Sequence, residues 1–385
     1  MEHLLNMPKA TPSVFILYTG GTIGSRLLPD GGGLGPVNTQ EFREELLTIP
    51  GFDKQVVTVN VDDGHPETKV RYDVHALTPA IDSSSMTPAG WLQIANATLL
   101  HLQAHDGVVI LHGTDTMAYT SSALAFLLSG TPKPIVVTGS QIPLAYGRND
   151  ASENLMASIA VAATSRIPGV VVAFSDRIMA GPRAVKVNAD TFTGFDSPNY
   201  PCIGHIGIGL TYEPRLELPI PDPTISITEP TNFDARKKLF NDFGKSFQQF
   251  SVVVIKLYPG IQHSTVNAML TGTTPPVKGV CIEAYGSGNA PADVELMTAF
   301  QHAHEKGAVL VDVTQVLAGT VSLYQYAAAH GLAAAGVISG RNMTTEACYA
   351  KLIYLTARGF SQTEIEEYFR VDMVGEVTVE KPARL

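Results

Sequence analysis

The chain has 385 residues, of which 45% are hydrophobic and 16% are charged, and its net charge is −10. This length and composition predict a globular protein with a large core and enough residues for two domains. The negative charge balance gives no support for nucleic-acid binding. No basic, apolar leader and no run of 18 apolar residues is seen, so we expect neither a secretory signal nor a membrane span. The three widely spaced cysteines (Cys202, Cys281 and Cys348) lack metal-ligand spacing, which indicates reduced thiols in a cytoplasmic protein.

Two apolar stretches end in hydroxyl-bearing residues. Val14–Tyr18 is followed by a glycine pair and Thr22, and Gly107–Leu111 is followed by His-Gly and then Thr114 and Asp115. Both stretches are typical of buried strands. Because ligands bind beyond the carboxyl ends of strands in open parallel sheets, we expect these side chains at one edge of a sheet. Threonines and a carboxylate in this place favour a nucleophile site.

The glycine spacing does not fit a dinucleotide-binding turn. That motif needs Gly-x-Gly-x-x-Gly at the start of a helix, whereas Gly20, Gly21 and Gly24 precede a glycine-rich loop over Ser25–Pro36. A nicotinamide cofactor is therefore disfavoured, and no metal or other cofactor is expected. We interpret the loop as a lid over the nucleophile, with a simple mobile connection as the alternative.

Strands and helices alternate along the rest of the chain. This alternation predicts an α/β protein with a larger N-terminal and a smaller C-terminal domain, each built on a mainly parallel sheet flanked by helices. Five prolines in a helix-averse segment indicate a linker. The predicted domains are 1–215 and 246–385, joined by a linker over 216–245. The predicted strands are 55–61, 134–138, 169–174, 251–257, 279–284 and 308–313, and the predicted helices begin near residues 87, 115, 150, 264, 292, 321, 344 and 361.

The motifs resemble those of the bacterial-type L-asparaginase family, and their wording is most similar to the cytoplasmic, type I branch. The two signatures are Thr-Gly-Gly-Thr-Ile-Gly at 19–24 and His-Gly-Thr-Asp-Thr-Met at 112–117. Further matches are Ile-Asp-Ser-Ser at 81–84, Val-Thr-Gly-Ser-Gln at 137–141, Lys186, and Tyr-Gly-Ser-Gly-Asn-Ala-Pro at 285–291. The similarity extends from about Val14 to about Gly340.

The resemblance implies an enzyme that hydrolyses L-asparagine to L-aspartate and ammonia through a β-aspartyl-enzyme intermediate. In that family Thr22 is the position of the nucleophile. Thr114 is the second essential threonine, polarised by Lys186 and an aspartate, and Asp115 can bind the substrate's α-ammonium. His112 would be a supporting residue. A threonine hydroxyl needs such a partner because it is a poor nucleophile at neutral pH.

The remaining implied substrate ligands have ordinary structural alternatives. The resemblance makes Asp82, Ser83 and Ser84 ligands of the amino-acid head group, but these residue types also serve as turn and capping residues. A lone lysine such as Lys186 is usually a solvated surface group. Tyr285 would complete the site of a neighbouring subunit, which implies a homodimer or homotetramer, or would belong to a simple glycine turn.

Several positions depart from the family pattern. Leu34 stands where many relatives have a loop tyrosine, and Ser85 where they have an aspartate. At the type I regulatory asparagine site, Glu283 replaces an arginine, while Val185 and Val316 replace a threonine and a cysteine; of the marker residues, Gln141 alone agrees with the family. A carboxylate there would repel the effector's carboxylate, so we expect hyperbolic saturation by asparagine.

Two other functions stay open. The amidase subunit of a tRNA-dependent amidotransferase shares these signatures, but it carries an additional N-terminal domain, and here the first strand begins near residue 14. A non-catalytic amino-acid sensor on the same fold is the other alternative. Retention of Thr22, Thr114, Asp115 and Lys186 argues against that loss of chemistry.

Overall fold

The computed structural model describes residues 11–27, 33–61, 67–165, 167–213, 233–323 and 327–379. None of the helices within these ranges is long and apolar enough to cross a membrane. The strands are β1 (Ser13–Tyr18), β2 (Ser25–Leu27), β3 (Leu34–Pro36), β4 (Val56–Val59), β5 (Thr68–Ala76), β6 (Gly107–Leu111), β7 (Pro134–Thr138), β8 (Gly169–Phe174), β9 (Arg177–Ala180), β10 (Val185–Lys186), β11 (Phe195–Asp196), β12 (Gly204–Ile206), β13 (Leu210–Tyr212), β14 (Ser251–Lys256), β15 (Val277–Ala284), β16 (Val309–Thr314) and β17 (Ile338–Ser339). The helices are α1 (Thr39–Leu46), α2 (Pro88–His101), α3 (Met117–Leu127), α4 (Ala151–Thr164), α5 (Phe233–Ser246), α6 (His263–Thr271), α7 (Val294–Glu305), α8 (Ala327–Ala334), α9 (Thr345–Ala357) and α10 (Gln362–Tyr368).

The larger sheet contains nine strands of the described chain in the order β13-β12-β9-β8-β7-β6-β1-β5-β4. Its centre, β5-β1-β6-β7-β8, is parallel, and the outer strands at both edges are antiparallel. Strands β1, β6, β7 and β8 are nearly continuous apolar runs, as expected for a parallel sheet covered by helices on both faces, whereas β5 alternates buried and exposed residues. Tyr18 lies level with Leu111 across the β1–β6 pair, so these two strands end together.

Local sequence signals explain where the helices on this sheet begin. Thr87 accepts a hydrogen bond from the Gly90 amide, and Pro88 occupies the first turn of α2, where its missing N–H costs nothing. Every residue of α3 except Tyr119 is buried. The helix therefore lies inside the molecule rather than on its surface.

The second sheet is parallel, in the order β14-β15-β16-β17. Helix α9 joins its core to that of the first sheet, because Phe126 of α3 stacks on Tyr354 of α9 with 5.5 Å between ring centroids. The structure thus confirms the predicted α/β class with two mainly parallel sheets.

Some predicted elements differ from the structure. The loop expected over 25–36 begins and ends in paired strands, β2 and β3, with the intervening residues 28–32 outside the described chain. Helix α5 occupies most of the C-terminal half of the segment predicted as a linker, and its residues Phe240 and Phe243 are buried in the shared core. Prolines marked the first half, but that half lies outside the described residues. The domain boundaries therefore stay a prediction.

Candidate active site

Two strand-end loops meet backbone to backbone. Gly20 and Gly21, which follow β1, have φ values of 125° and 88°, a region that side chains strongly disfavour. A Cβ atom on Gly21 would lie 2.3 Å from the Gly113 Cα, and one on Gly20 would lie 2.2 Å from the Ile81 oxygen. Only glycine permits this contact. The ends of β1 and β6 are therefore in direct contact, as the sequence predicted.

A small hydrogen-bond network holds the turn that carries Thr22. Thr22 begins a 3₁₀ turn and is partly exposed. The Tyr18 hydroxyl donates to the Gly24 oxygen at 3.0 Å, and the Ser25 hydroxyl donates to the Gly21 oxygen at 2.9 Å. Burial raises the pKa of Tyr18 well above its usual range, so its phenol stays a donor. Sequence reasoning gave neither Tyr18 nor Ser25 this role.

Lys186, Thr114 and Asp115 form one cluster. The Lys186 Nζ donates to Thr114 Oγ1 at 2.9 Å and to Asp115 Oδ1 at 2.7 Å. The Thr114 residue is only 7% exposed, whereas the side chains of Lys186 and Asp115 are 23% and 62% exposed. The lysine thus polarises a buried hydroxyl, while the aspartate presents a carboxylate to solvent. The surface-lysine alternative is incorrect, because strand β10 brings Lys186 into contact with residues more than seventy positions earlier.

Ser83 lies against the same loops, and Asp82 behaves as a capping residue. Ser83 is 3% exposed, and a Cβ on Gly113 would lie 2.3 Å from its Oγ. Thr116 donates to the Ser83 oxygen at 2.7 Å. The Asp82 carboxylate accepts from the exposed Ser84 amide at 3.0 Å, which caps the 3₁₀ turn over Ser83–Ser85. The structure therefore places 82–84 beside the two signature loops.

Loop 139–142 is tied to the helix that follows it. The Asp150 carboxylate accepts from the amides of Gln141 and Ile142 at 2.9 and 3.0 Å. Gln141 Nε2 donates to the Thr191 oxygen at 3.1 Å, within the loop that follows Lys186. Asp150 carried no sequence signal beyond its place at the start of a predicted helix.

His112 lies beside the site as a buried neutral group. It is 1% exposed, its Nδ1 donates to the Gly113 oxygen at 2.6 Å, and its Nε2 lies 3.0 Å from the Thr120 hydroxyl. Burial lowers its pKa to about 4. At neutral pH the imidazole is thus neutral and joins the loop after β6 to α3, and its supporting role stays a prediction.

Tyr285 lies apart from these residues, on the second sheet. Its amide donates to the Asn289 oxygen at 2.9 Å, which closes the glycine turn after β15. Within the described chain no hydrogen bond links Tyr285 to the Thr22 turn or to Thr114, and its buried hydroxyl lacks a partner. Its assignment as a substrate ligand stays a prediction.

The departures at the expected regulatory site have their own contacts. Glu283 accepts from the Thr345 hydroxyl at 2.7 Å and lies 3.7 Å from the Lys256 ammonium. Val185 precedes Lys186 in β10, and Val316 is 51% exposed. The Glu283 carboxylate is thus held inside the second-sheet unit.

One group of side chains in the described residues has metal-ligand composition. The ligand atoms of His263, Asp293 and Glu295 all lie within 4.8 Å of one another at the starts of α6 and α7. His263 Nε2 already lies 2.9 Å from the Glu295 carboxylate, and Asp293 caps α7. This group belongs to the second-sheet unit, and no hydrogen bond or ion pair among the described residues joins it to the Lys186 cluster.

The fold and the cluster together define a class. A partly exposed threonine on one strand-end turn, beside a loop whose threonine and aspartate are both hydrogen-bonded to a lysine, is the residue set expected of a hydrolase that uses a hydroxyl nucleophile.

Comparison with known proteins identifies the family. Residues 13–217 match the family described as asparaginase, N-terminal, and residues 251–369 match the glutaminase/asparaginase C-terminal domain. L-asparaginase 1 of Escherichia coli is 36% identical over 366 residues, which cover 95% of this chain and 98% of that protein. The 60 kDa lysophospholipase of Homo sapiens is 35% identical over 94% of this chain and 61% of that protein. The crystal structure of L-asparaginase I from Vibrio cholerae has a TM-score of 0.75 and 34% identity, over 96% of this chain and 100% of the other.

The chain therefore belongs to the asparaginase family and is an amidohydrolase enzyme of that family. The match over both sheets agrees with the resemblance drawn from the signature motifs.

Proposed function

We propose that this protein hydrolyses L-asparagine to L-aspartate and ammonia, with Thr22 as the nucleophile. The observation that carries the proposal is the Lys186–Thr114–Asp115 cluster at the end of β6, whose loop contacts the Thr22 turn through Gly21 and Gly113. The similar L-asparaginase of Escherichia coli supports the choice of substrate.

The chemistry follows from these positions. The Thr22 oxygen attacks the side-chain amide carbon of asparagine, and its proton is relayed through the Thr114 hydroxyl, which Lys186 holds in place, to the amide nitrogen. The C–N bond breaks as the amide nitrogen takes up a proton and leaves as ammonia. Water then attacks the β-aspartyl ester, aspartate departs, and the Thr22 hydroxyl is restored. Backbone N–H groups at the two strand ends can hold the oxyanion.

The charged ends of the substrate need separate partners. Asp115 offers an exposed carboxylate for the α-ammonium, because only one of its oxygens is bound by Lys186. Asp82, Ser83 and Ser84 border the same loops and are proposed to bind the α-carboxylate end through hydroxyl and amide groups. The capping hydrogen bond of Asp82 would fix the geometry of this segment and would not compete with substrate binding.

The active form is proposed to be a homodimer or homotetramer in the cytoplasm. The glycine turn over Tyr285–Pro291, which matches the family segment expected to reach a neighbouring site, supports this assembly, and closed symmetric assemblies are the commonest kind. The three free cysteines agree with a reducing compartment.

The test is steady-state ammonia release from L-asparagine, D-asparagine and L-glutamine. Thr22→Ala and Thr114→Val are each expected to lower kcat by roughly a thousandfold or more, because each removes one hydroxyl of a set of catalytic groups that act together. Thr298→Ala on the exposed face of α7 is the control and should leave the rate unchanged. Near-normal release by Thr22→Ala would refute the covalent mechanism.

The same assay separates the alternatives. Asparagine binding without ammonia release would favour an amino-acid sensor. Ammonia release from glutamine only with a misacylated tRNA present would favour an amidotransferase subunit. Sedimentation with activity measured across the same concentrations tests the oligomer, and a fully active monomer would contradict it.

A further inference from the structure

We propose that Arg183, anchored by the C-terminal segment 372–378, is a positioning residue that keeps Lys186 within reach of Thr114 and Asp115. The inference rests on the proposed catalytic role of Lys186. It gives the C-terminal segment 372–378 a function in the chemistry at the larger sheet.

Arg183 is a buried cation whose hydrogen bonds lead to distant parts of the chain. It is 1% exposed and ends the 3₁₀ turn between β9 and β10. Its Nε donates to the Gly375 oxygen, and its two terminal nitrogens donate to the Thr378 hydroxyl at 3.3 Å and to the Asn342 oxygen at 3.4 Å. The guanidinium also stacks over the Tyr200 ring at 5.1 Å. A guanidinium is costly to bury without such partners, so the site is built for it.

The C-terminal segment that receives Arg183 is itself fixed. Glu376 is fully buried, forms an ion pair with Lys351 of α9, and accepts from the amides of Met373 and Val374 at 3.0 and 2.7 Å. Its neighbour Val377 lies in the core shared by both sheets. The segment thus presents its carbonyl and hydroxyl groups to Arg183 from a rigid support.

A second link clamps the same segment to the loop that begins α9. The Thr378 amide donates to Asn342 Oδ1 at 2.9 Å, and Asn342 Nδ2 donates to the Thr378 hydroxyl at 2.9 Å. Asn199 Nδ2 donates to the Asn342 oxygen at 3.2 Å. Arg183 and Asn199, which flank the short β10–β11 pair, therefore both donate to the Asn342 carbonyl oxygen.

Lys186 lies only three positions after this anchor in the chain. Ala184 is fully buried, and Lys186 pairs with Phe195 in the two-stranded β10–β11 ribbon. Three extended residues span only about 10 Å, so a displacement of Arg183 would also move Lys186. The Lys186 ammonium meets Thr114 Oγ1 at 2.9 Å, and such contacts are sensitive to shifts of about 1 Å.

A purely structural role for Arg183, as a tie between the two sheet units, makes different predictions. Loss of a structural tie lowers thermal stability and the amount of folded enzyme but leaves the rate per folded site unchanged. Loss of a positioning contact lowers kcat of folded enzyme and frees the Lys186 side chain.

The decisive variants are Thr378→Val, which removes the accepting hydroxyl from an exposed residue, and Thr378→Ser, which keeps it. In the full-length enzyme, with kcat calculated per folded site, we expect Thr378→Val to lower kcat about fivefold with KM changed less than twofold. Thr378→Ser should restore the rate. Arg183→Lys, which keeps the charge but not the forked geometry, should lower kcat tenfold or more.

A direct readout is the rate at which Lys186 is acetylated by an amine reagent, followed by peptide mass spectrometry. It should rise several-fold in Thr378→Val and not in Thr378→Ser. Wild-type kcat and acetylation rates in Thr378→Val would overturn the inference, even with a lower Tm. If Lys186→Met retains wild-type ammonia release, the proposed function fails instead, so the two failures are distinguishable. Should Arg183→Lys not fold, Thr378→Val decides alone.

Discussion

Asp312 tests whether burial keeps a carboxyl group protonated in the native state. It lies in the middle of β16, is fully buried, and neither carboxyl oxygen has a hydrogen-bond partner in the described chain. Its Oδ2 lies so close to Gly288 that a Cβ there would approach to 2.7 Å. Burial raises the pKa of this carboxyl from 3.8 to about 8. The group is thus a neutral acid in the native state at neutral pH and an ionised one in the unfolded chain.

The consequence for stability has a definite sign. Because the native state holds a proton that the unfolded chain releases, the free energy of unfolding falls as pH rises from about 4 to about 8. Each pH unit well inside this window changes the free energy of unfolding by about 1.4 kcal/mol. Raising the pH from 5 to 8 should therefore cost the native state roughly 4 kcal/mol through this one group.

Asp312→Asn keeps the shape of the side chain and removes its titration. We expect the variant to gain stability over the wild type by roughly 4 kcal/mol more at pH 8 than at pH 5, as measured by urea denaturation. Other titrating groups cancel in this comparison. Asp242→Asn, on an exposed position of α5, serves as the control. Parallel pH dependence in wild type and Asp312→Asn would show that the buried carboxyl is ionised and would refute the reasoning.

Three further predictions address other parts of the molecule. Because burial lowers the pKa of His112 to about 4, the free energy of unfolding should fall as pH drops from 6.5 to 4. His112→Gln should reduce that loss by up to about 3 kcal/mol in urea unfolding. An unchanged dependence of the unfolding free energy on pH would mean that the native imidazole is charged. Lys351→Met leaves Glu376 as an unpaired buried charge and should cost about 3–5 kcal/mol, seen as a lower Tm, whereas an unchanged Tm would contradict a functional ion pair there. With a carboxylate at Glu283, initial rates should rise hyperbolically with asparagine; a sigmoidal curve that Gln141→Ala makes hyperbolic would count against this.

The active-site strands could be predicted because their signals are local. An apolar run predicts a buried strand, and the glycines that follow it predict a sharp turn at the strand's end. Both signals stand immediately before Thr22 and Thr114. Helix α5 was missed because the prolines before it dominated the composition of the segment. Its apolar face is defined by packing on α2 and α9 rather than by a strong local start signal.

The amino-acid sequence by itself determined the α/β class and the two strand-end signatures, and it predicted the chemistry of their hydroxyls. The family resemblance named Lys186 as the partner of Thr114, but only the tertiary structure gave the contact and the group that anchors it. Lys186 reaches Thr114 across seventy-two positions, and Arg183 finds Gly375 across one hundred and ninety-two. Nothing in either residue's local pattern encodes those partners. Burial is likewise a property of the assembled core, so the protonation of Asp312 follows from the packing around β16, which the local sequence does not contain.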